Sequence, residues 1–333
     1  MDLPGAQYSF NTKFVMKKFA FVFPGQGSQS VGMLDAWGDH PAVSEVLKEA
    51  SDALSQDVGK LIREGTKEEL ALTTNTQPVM LVAAIATYRA WLHEGGATPS
   101  LVAGHSLGEY SALVAAGSLT LMQAAPLVRY RAAAMQAAVP VGTGAMAAIL
   151  GMDSEKVKVI CAEVTGSYGA TSAETVQAAN FNDPMQTVIA GSKAAVDKAC
   201  EALKAAGAKR ALILPVSAPF HSSLMRPAAD KLREKLSETT LLTPKISLIN
   251  NVDVAIETDT ARIKDALYRQ AFGAVRWTES VQAMQTSGAS VIWECGPGKV
   301  LSGLVRRIAP ELTTGCILDP ASLQEFKAVI ENN

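Results

Sequence analysis

The chain has 333 residues, of which 48% are apolar and 19% charged, and its formal net charge is −2. That composition supports a large buried core plus a smaller unit and excludes an intrinsically disordered chain. Without a basic excess to neutralise a phosphate backbone, nucleic acid is excluded as the expected partner.

Residues 1–15 differ in texture from the rest, and Met16-Lys-Lys leads straight into a strand, so 1–15 are taken as an N-terminal extension outside the core. Phe19 to Pro24 is too short for a signal h-region or a membrane span. The four cysteines, Cys161, Cys200, Cys295 and Cys316, contain no CxxC pair. Reduced thiols in a cytoplasmic protein fit that spacing better than a zinc site or a disulfide framework.

Phe19-Ala-Phe-Val-Phe23 predicts a short buried strand, ended by Pro24-Gly25. Helices are predicted over Val43–Leu54 and Pro78–Trp91, the second ended by Gly95-Gly96. Ser100–Gly104 predicts a second strand, with a helix starting at the Ser106 turn and another over Leu121–Ala138. From Gly144 the pattern changes to strand (Ala145–Leu150), helix (Ser154–Val164), strand (Thr175–Asn180), strand (Thr187–Ala190), helix (Lys193–Ala206) and strand (Lys209–Val216). That β-α-β-β-α-β order is ferredoxin-like. Strands at Ile246–Val252 and Ser290–Glu294 follow, with helices at Arg226–Glu238, Arg262–Phe272, Thr278–Gln285 and Val300–Ala309. The expected architecture is α/β: a large α/β-hydrolase-like domain with a parallel sheet core (18–141 and 216–320), interrupted by a ferredoxin-like small subdomain (142–215).

Gly104-His-Ser-Leu-Gly108 fits G-x-S-x-G between an apolar strand and an apolar helix, the context of a nucleophile elbow. The turn is so tight that the positions two before and two after Ser106 must lack side chains. A serine held there sits at a helix N-terminus, whose free N–H groups favour an oxyanion. A serine nucleophile needs a base, normally histidine. Of His40, His93, His105 and His221, His105 adjoins the nucleophile at a diverging turn, His93 ends a helix and His40 precedes Pro41 in a surface turn. His221 follows Pro215-Val-Ser-Ala-Pro-Phe220, a strand end entering a loop, where α/β folds place catalytic groups. Elimination favours His221 over its reading as a capped loop residue. No carboxylate stands out between Ser106 and His221, and a main-chain carbonyl can instead set the tautomer of the base.

Phe23-Pro-Gly-Gln-Gly-Ser-Gln29 fails as a dinucleotide fingerprint because the glycine after Gly27 is Gly32. It reads instead as a loop whose backbone can approach a substrate oxygen, completing an oxyanion hole with the Leu107 N–H. In Arg129-Tyr-Arg-Ala-Ala-Ala-Met-Gln136, Arg131 and Met135 share a helix face. Spacing leaves open whether Arg131 binds a substrate carboxylate bidentately or is an ordinary solvated arginine.

Together these segments resemble the malonyl-CoA:acyl carrier protein transacylases of bacterial fatty-acid synthesis, over nearly the whole chain from about Lys18. Further shared motifs are Gly-Thr-Gly-Ala-Met, Asn180-Phe-Asn182, Pro219-Phe-His221-Ser, Asn250-Asn-Val-Asp253 and Gly296-Pro-Gly-Lys299. The resemblance implies a ping-pong transfer of malonyl from coenzyme A to the phosphopantetheine thiol of an acyl carrier protein. Ser106 would carry the acyl ester and His221 would be the base, oriented by the main-chain carbonyl of Gln270. Backbone N–H groups of Gln26 and Leu107 would form the oxyanion hole, Arg131 would bind the malonyl carboxylate, and Asn180 and Asn182 would line the cleft for the pantetheine arm. No cofactor or metal is implied. The family often has glycine where this chain has Ala132, a harmless change in a helix. Phe220, before the base, is expected to exclude a branched α-carbon and so favour malonyl over methylmalonyl. The carrier protein is acidic, which makes Lys204, Lys209, Arg210 and Arg226 candidates for its docking. A monomer is expected. The rival readings are a thioesterase or esterase on the same elbow, an acyltransferase serving polyketide synthesis, and a non-catalytic docking protein, which the presence of both nucleophile and base disfavours.

Overall fold

The computed structural model describes residues 17–216 and 218–331, so the extension expected at 1–15 lies outside the described residues. In chain order the elements are β1 (Phe19–Phe23), α1 (Pro41–Leu54), α2 (Val58–Glu64), α3 (Lys67–Ala71), α4 (Thr73–His93), β2 (Leu101–Gly104), α5 (Gly108–Ala115) and α6 (Leu121–Gln136). Next come β3 (Gly144–Leu150), α7 (Ser154–Gly166), β4 (Val176–Asp183), β5 (Gln186–Ser192), α8 (Lys193–Ala205) and β6 (Arg210–Ile213). The chain closes with α9 (Arg226–Glu238), β7 (Ser247–Ile249), α10 (Thr260–Phe272), α11 (Trp277–Thr286), β8 (Val291–Cys295), α12 (Val300–Ile308), β9 (Thr313–Ile317) and α13 (Pro320–Glu331).

Five strands form a parallel sheet in the order β7-β2-β1-β8-β9. β1 is central and wholly buried, which explains its unbroken apolar run. Its odd residues face one helical layer: Phe21 meets Tyr88 and Trp91 of α4 edge-on, with ring centroids 6.1 and 5.7 Å away. Its even residues, Ala20 and Val22, join Trp277, Val281, Leu301 and Leu304 on the opposite face. The period of two thus divides one strand between two cores.

β3 to β6 form a separate antiparallel sheet in the order β4-β5-β3-β6. α7 and α8 cover one face through Val157, Ile160, Val196 and Leu203. Met146, Ala179, Val188 and Ala190 turn the other face into the main core. The antiparallel sheet is tied to the segment before α11 by main-chain hydrogen bonds from Phe181 to the Val275 carbonyl and from Val275 to the Ala179 carbonyl, both 2.9 Å. Arg307 of α12 adds an ion pair to the buried Asp183 of β4 at 2.6 Å. The chain is therefore an α/β protein with a parallel core sheet and a smaller antiparallel unit.

Several boundaries differ from expectation. α4 starts five residues before Pro78; the proline forfeits one hydrogen bond, but Thr76 Oγ1 fastens the preceding turn to the Leu72 carbonyl at 3.0 Å. α5 starts at Gly108 rather than Ser106, because the positive φ of Ser106 (54°) is incompatible with a helix. β7 stops at Ile249, where Asn250 to Asp253 turn back on themselves. β6 is only four residues long. β9 and α13 were not expected, and Phe326 of α13 stacks on Trp293 at 4.6 Å, so the large unit's core extends past residue 320. No helix among the described residues is long and apolar enough to cross a membrane.

Candidate active site

The loops after β1, β2 and β7 meet at the carboxyl ends of the parallel strands, the usual ligand edge of an open α/β sheet. Ser106 follows β2 in a left-handed conformation, and a Cβ built on Gly104 would lie 1.9 Å from the Gly108 backbone. A Cβ on Gly108 would lie 2.0 Å from the Phe23 carbonyl oxygen. Both glycines are required by backbone contact, as the tight turn demands. Asn251, in the loop after β7, staples the turn: its Oδ1 accepts from the Ser106 N–H at 2.8 Å and its Nδ2 donates to the Gly104 carbonyl at 2.7 Å.

His221 comes from the loop after β6 and also has positive φ (61°). Its Nε2 lies 2.7 Å from Ser106 Oγ and its Nδ1 lies 2.8 Å from the Gln270 carbonyl oxygen. A carbonyl only accepts, so Nδ1 carries the proton and Nε2 accepts from the serine hydroxyl. Burial, followed by the charge of Arg131, lowers the His221 pKa to about 3. The imidazole is therefore neutral at physiological pH and competent to take a proton.

Arg131 reaches the same point from α6 and is only 2% exposed. Its two terminal nitrogens donate to Gln77 Oε1 at 2.7 Å, Gln270 Oε1 at 3.1 Å and Ser106 Oγ at 3.3 Å. The direct partners are neutral oxygens, so the buried positive charge has no contacting carboxylate among the described residues. Glu109 stands one residue further back. Its Oε2 accepts from Gln270 Nε2 at 2.9 Å and from the Asn251 N–H at 3.0 Å. Burial raises Glu109 to about 7, against the opposing hydrogen bonds and the charge of Arg131. A dry guanidinium held by amides is poised to accept an anionic ligand group.

These groups open onto a cavity of about 270 Å³. Gln26, Leu107, Met135, Asn180, Asn182 and Phe220 all line it, with Ser106, Arg131 and His221. Gln270 stands behind the lining and acts on it through its carbonyl and its amide. Among the described residues no acceptor takes the backbone N–H of Gln26 or of Leu107, leaving both free for a ligand oxygen. Asn182 Oδ1 is engaged by His105 Nε2 at 2.9 Å, so His105 fastens the elbow to β4 rather than serving as a base. His40 and His93 face each other at 5.2 Å and do not line the cavity. Lys204, Lys209, Arg210 and Arg226 are exposed and also outside the lining.

Gln77, Glu109 and Asn251 were not singled out from the sequence as functional residues. Glu109 had a signal, since a carboxylate in the otherwise uncharged Gly108–Ala115 helix requires buried partners. Asn251 sat in a motif with no role attached. Gln77 was hidden because the helix was expected to start only after it.

The acyl transferase domain family model matches residues 20–309. The chain is 50% identical to the malonyl CoA-acyl carrier protein transacylase of Salmonella typhimurium over 309 residues, covering 92% of this chain and 98% of that protein. It superposes with a TM-score of 0.90 on the crystal structure of an acyl-carrier-protein S-malonyltransferase from Burkholderia pseudomallei, at 61% identity over 93% of this chain and 99% of the other. A malonyl-transacylase in complex with its type II polyketide synthase acyl-carrier protein also gives a TM-score of 0.90, at 48% identity over 95% and 100% of the two chains. With an elbow serine, a neutral histidine and a buried arginine converging on one cavity, the chain belongs to the malonyl-CoA:acyl carrier protein transacylase family of acyltransferases.

Proposed function

We infer that this chain transfers the malonyl group from malonyl-CoA to the phosphopantetheine thiol of an acyl carrier protein, serving fatty-acid biosynthesis. The observation that carries this reading is the arginine 3.3 Å from the nucleophilic oxygen, which itself lies 2.7 Å from the base. Ser106 Oγ attacks the thioester carbonyl as His221 Nε2 takes its proton. The oxyanion is held by the N–H groups of Gln26 and Leu107. The C–S bond then breaks and coenzyme A leaves with the proton from His221. In the second half, the carrier thiol gives its proton to His221 and attacks the ester. The C–O bond breaks, and Ser106 recovers the proton. The Gln270 carbonyl keeps the base in one tautomer throughout.

Arg131 takes the malonyl carboxylate, with Met135 and Phe220 shaping the acyl end of the cavity. Asn180 and Asn182 border the pantetheine path. The reading places a hydrolase-like domain over 18–141 and 216–320 and a ferredoxin-like subdomain over 142–215. Support for the latter comes from its β-α-β-β-α-β order and from strand order β4-β5-β3-β6. The protein acts as a cytoplasmic monomer, with the carrier approaching basic side chains such as Arg226. A polyketide carrier is the second reading, favoured by the similarity to the polyketide-associated transacylase.

Intact mass after brief incubation with malonyl-CoA tests the cycle. One malonyl adduct is expected on the wild type, absent from Ser106→Ala and discharged by holo carrier protein. Steady release of malonate without an adduct would mean a hydrolase. Discharge by a polyketide carrier but not by a fatty-acid carrier would decide for the second reading.

A further inference from the structure

The polar residues at the start of α4 form a one-way hydrogen-bond chain that the reaction cycle above does not use. Arg131 donates to Gln77 Oε1 at 2.7 Å, Gln77 Nε2 donates to Thr73 Oγ1 at 3.2 Å, and the Thr73 hydroxyl donates to Gln26 Oε1 at 3.0 Å. The arginine sets the direction at Gln77. An arginine cannot accept, so Gln77 must offer its oxygen and its amide nitrogen faces Thr73, whose hydroxyl donates onward to Gln26 Oε1. Thr73 and Gln77 are 2% and 1% exposed, so water does not compete for these bonds. We propose that Thr73 and Gln77 are positioning residues that lock the carboxylate-reading guanidinium to the oxyanion loop. This rests on the roles inferred above for Arg131 and for the Gln26 N–H.

The chemistry supplies the reason. In malonyl a single methylene separates the carboxylate from the reacting carbonyl, so the two anchors must keep one spacing. Gln26 lies in a glycine-flanked loop and is only half-buried, and Arg131 is on a helix. Thr73 and Gln77, one helical turn apart on α4, bridge the two. Loss of the bridge lets the loop drift, and a misplacement of about 1 Å costs on the order of a hundredfold in rate.

The experiment measures single-turnover formation of the acyl-enzyme from malonyl-CoA and from acetyl-CoA. Thr73→Val is expected to slow both acylations by about tenfold or more, with malonyl KM within about twofold of wild type, since it frees the oxyanion loop. Thr73→Ser, which keeps the hydroxyl, is expected to return within about threefold of wild type. Gln77→Met is expected to lower malonyl acylation at least about tenfold more than acetyl acylation, since it frees Arg131. Wild-type rates in Thr73→Val, no rescue by Thr73→Ser, or equal losses of both substrates in Gln77→Met would each overturn the relay. Arg131→Ala is the control. If it loses malonyl transfer no more than acetyl transfer, the reading of Arg131 fails and the relay with it; if it does lose malonyl selectively, a failed relay leaves that reading intact.

Discussion

His221 and Gln270 are joined by one hydrogen bond, from Nδ1 to the main-chain carbonyl oxygen at 2.8 Å, in the place where many serine acyl-transfer sites use a carboxylate. The same glutamine presents its side-chain oxygen to Arg131 at 3.1 Å and its amide to the Ser106 carbonyl at 2.9 Å. One residue thus contacts the imidazole, the guanidinium and the elbow. No negative charge touches the imidazole, and the main-chain hydrogen bonds at Gln270 and Gly273, which raise its proton affinity, do not offset burial and the charge of Arg131.

The pH dependence of ester formation follows. With His221 lowered to about 3, the base stays neutral as pH falls from 8 to 5. The rate of malonyl-enzyme formation is expected to show no histidine limb in that range. A base at the ordinary value near 6.5 would lose roughly thirtyfold by pH 5. Stopped-flow or quenched mass measurements across the range decide between them.

Arg131→Ala should reduce malonyl transfer far more than acetyl transfer, by about a hundredfold or more in relative kcat/KM, because a buried charge-assisted pair is lost only for the substrate with a free carboxylate. Parallel kinetics with the two thioesters check this. Equal losses would mean that the arginine supports the fold and not the selection.

Phe220→Ser should admit methylmalonyl-CoA as an acyl donor, since Phe220 lines the cavity beside the base. Competition between malonyl-CoA and methylmalonyl-CoA, read by adduct mass, tests it. A variant that gains no methylmalonyl adduct would remove Phe220 from the selection.

Glu294 offers a stability test away from the chemistry. It is buried at the end of β8, accepts from the Ser302 N–H at 2.9 Å and is raised by burial to about 7. A raised carboxylate contributes stability that is fully present below its unfolded pKa near 4.5 and is lost as pH rises through about 7. Glu294→Gln should therefore match the wild-type Tm near pH 4.5 or fall slightly below it, and exceed it at pH 8. Thermal unfolding at the two pH values reads the sign.

Gly104→Ala should destabilise the protein by about 3 kcal/mol, because no rotamer can relieve a clash between two backbone segments. Gly166→Ala, where an added Cβ meets nothing within 4 Å, should cost nothing measurable. Denaturant unfolding of both variants compares a glycine required by contact with one that is not.

The elbow at Ser106, the loop position of His221 and the central strand were legible in the residue order because their signals are local. An elbow needs glycines two positions either side of the serine, a parallel-sheet strand needs a continuous apolar run, and elimination among four histidines leaves one at a strand end. The β-α-β-β-α-β order was legible for the same reason, since periodicity is a property of neighbouring residues. Whether Arg131 was solvated or buried was not legible, nor was the service of Gln77, Glu109 and Asn251. Their contacts span 54, 161 and 145 positions along the chain, as in Arg131 with Gln77, Gln270 with Glu109 and Ser106 with Asn251. Polar side chains carry no periodic mark of where they end up; their partners exist only once the two sheets and α4, α6 and α10 have packed. Local sequence thus marked the elbow serine and the strand-end histidine, and tertiary packing decided their protonation, their spacing and the burial of the guanidinium beside them.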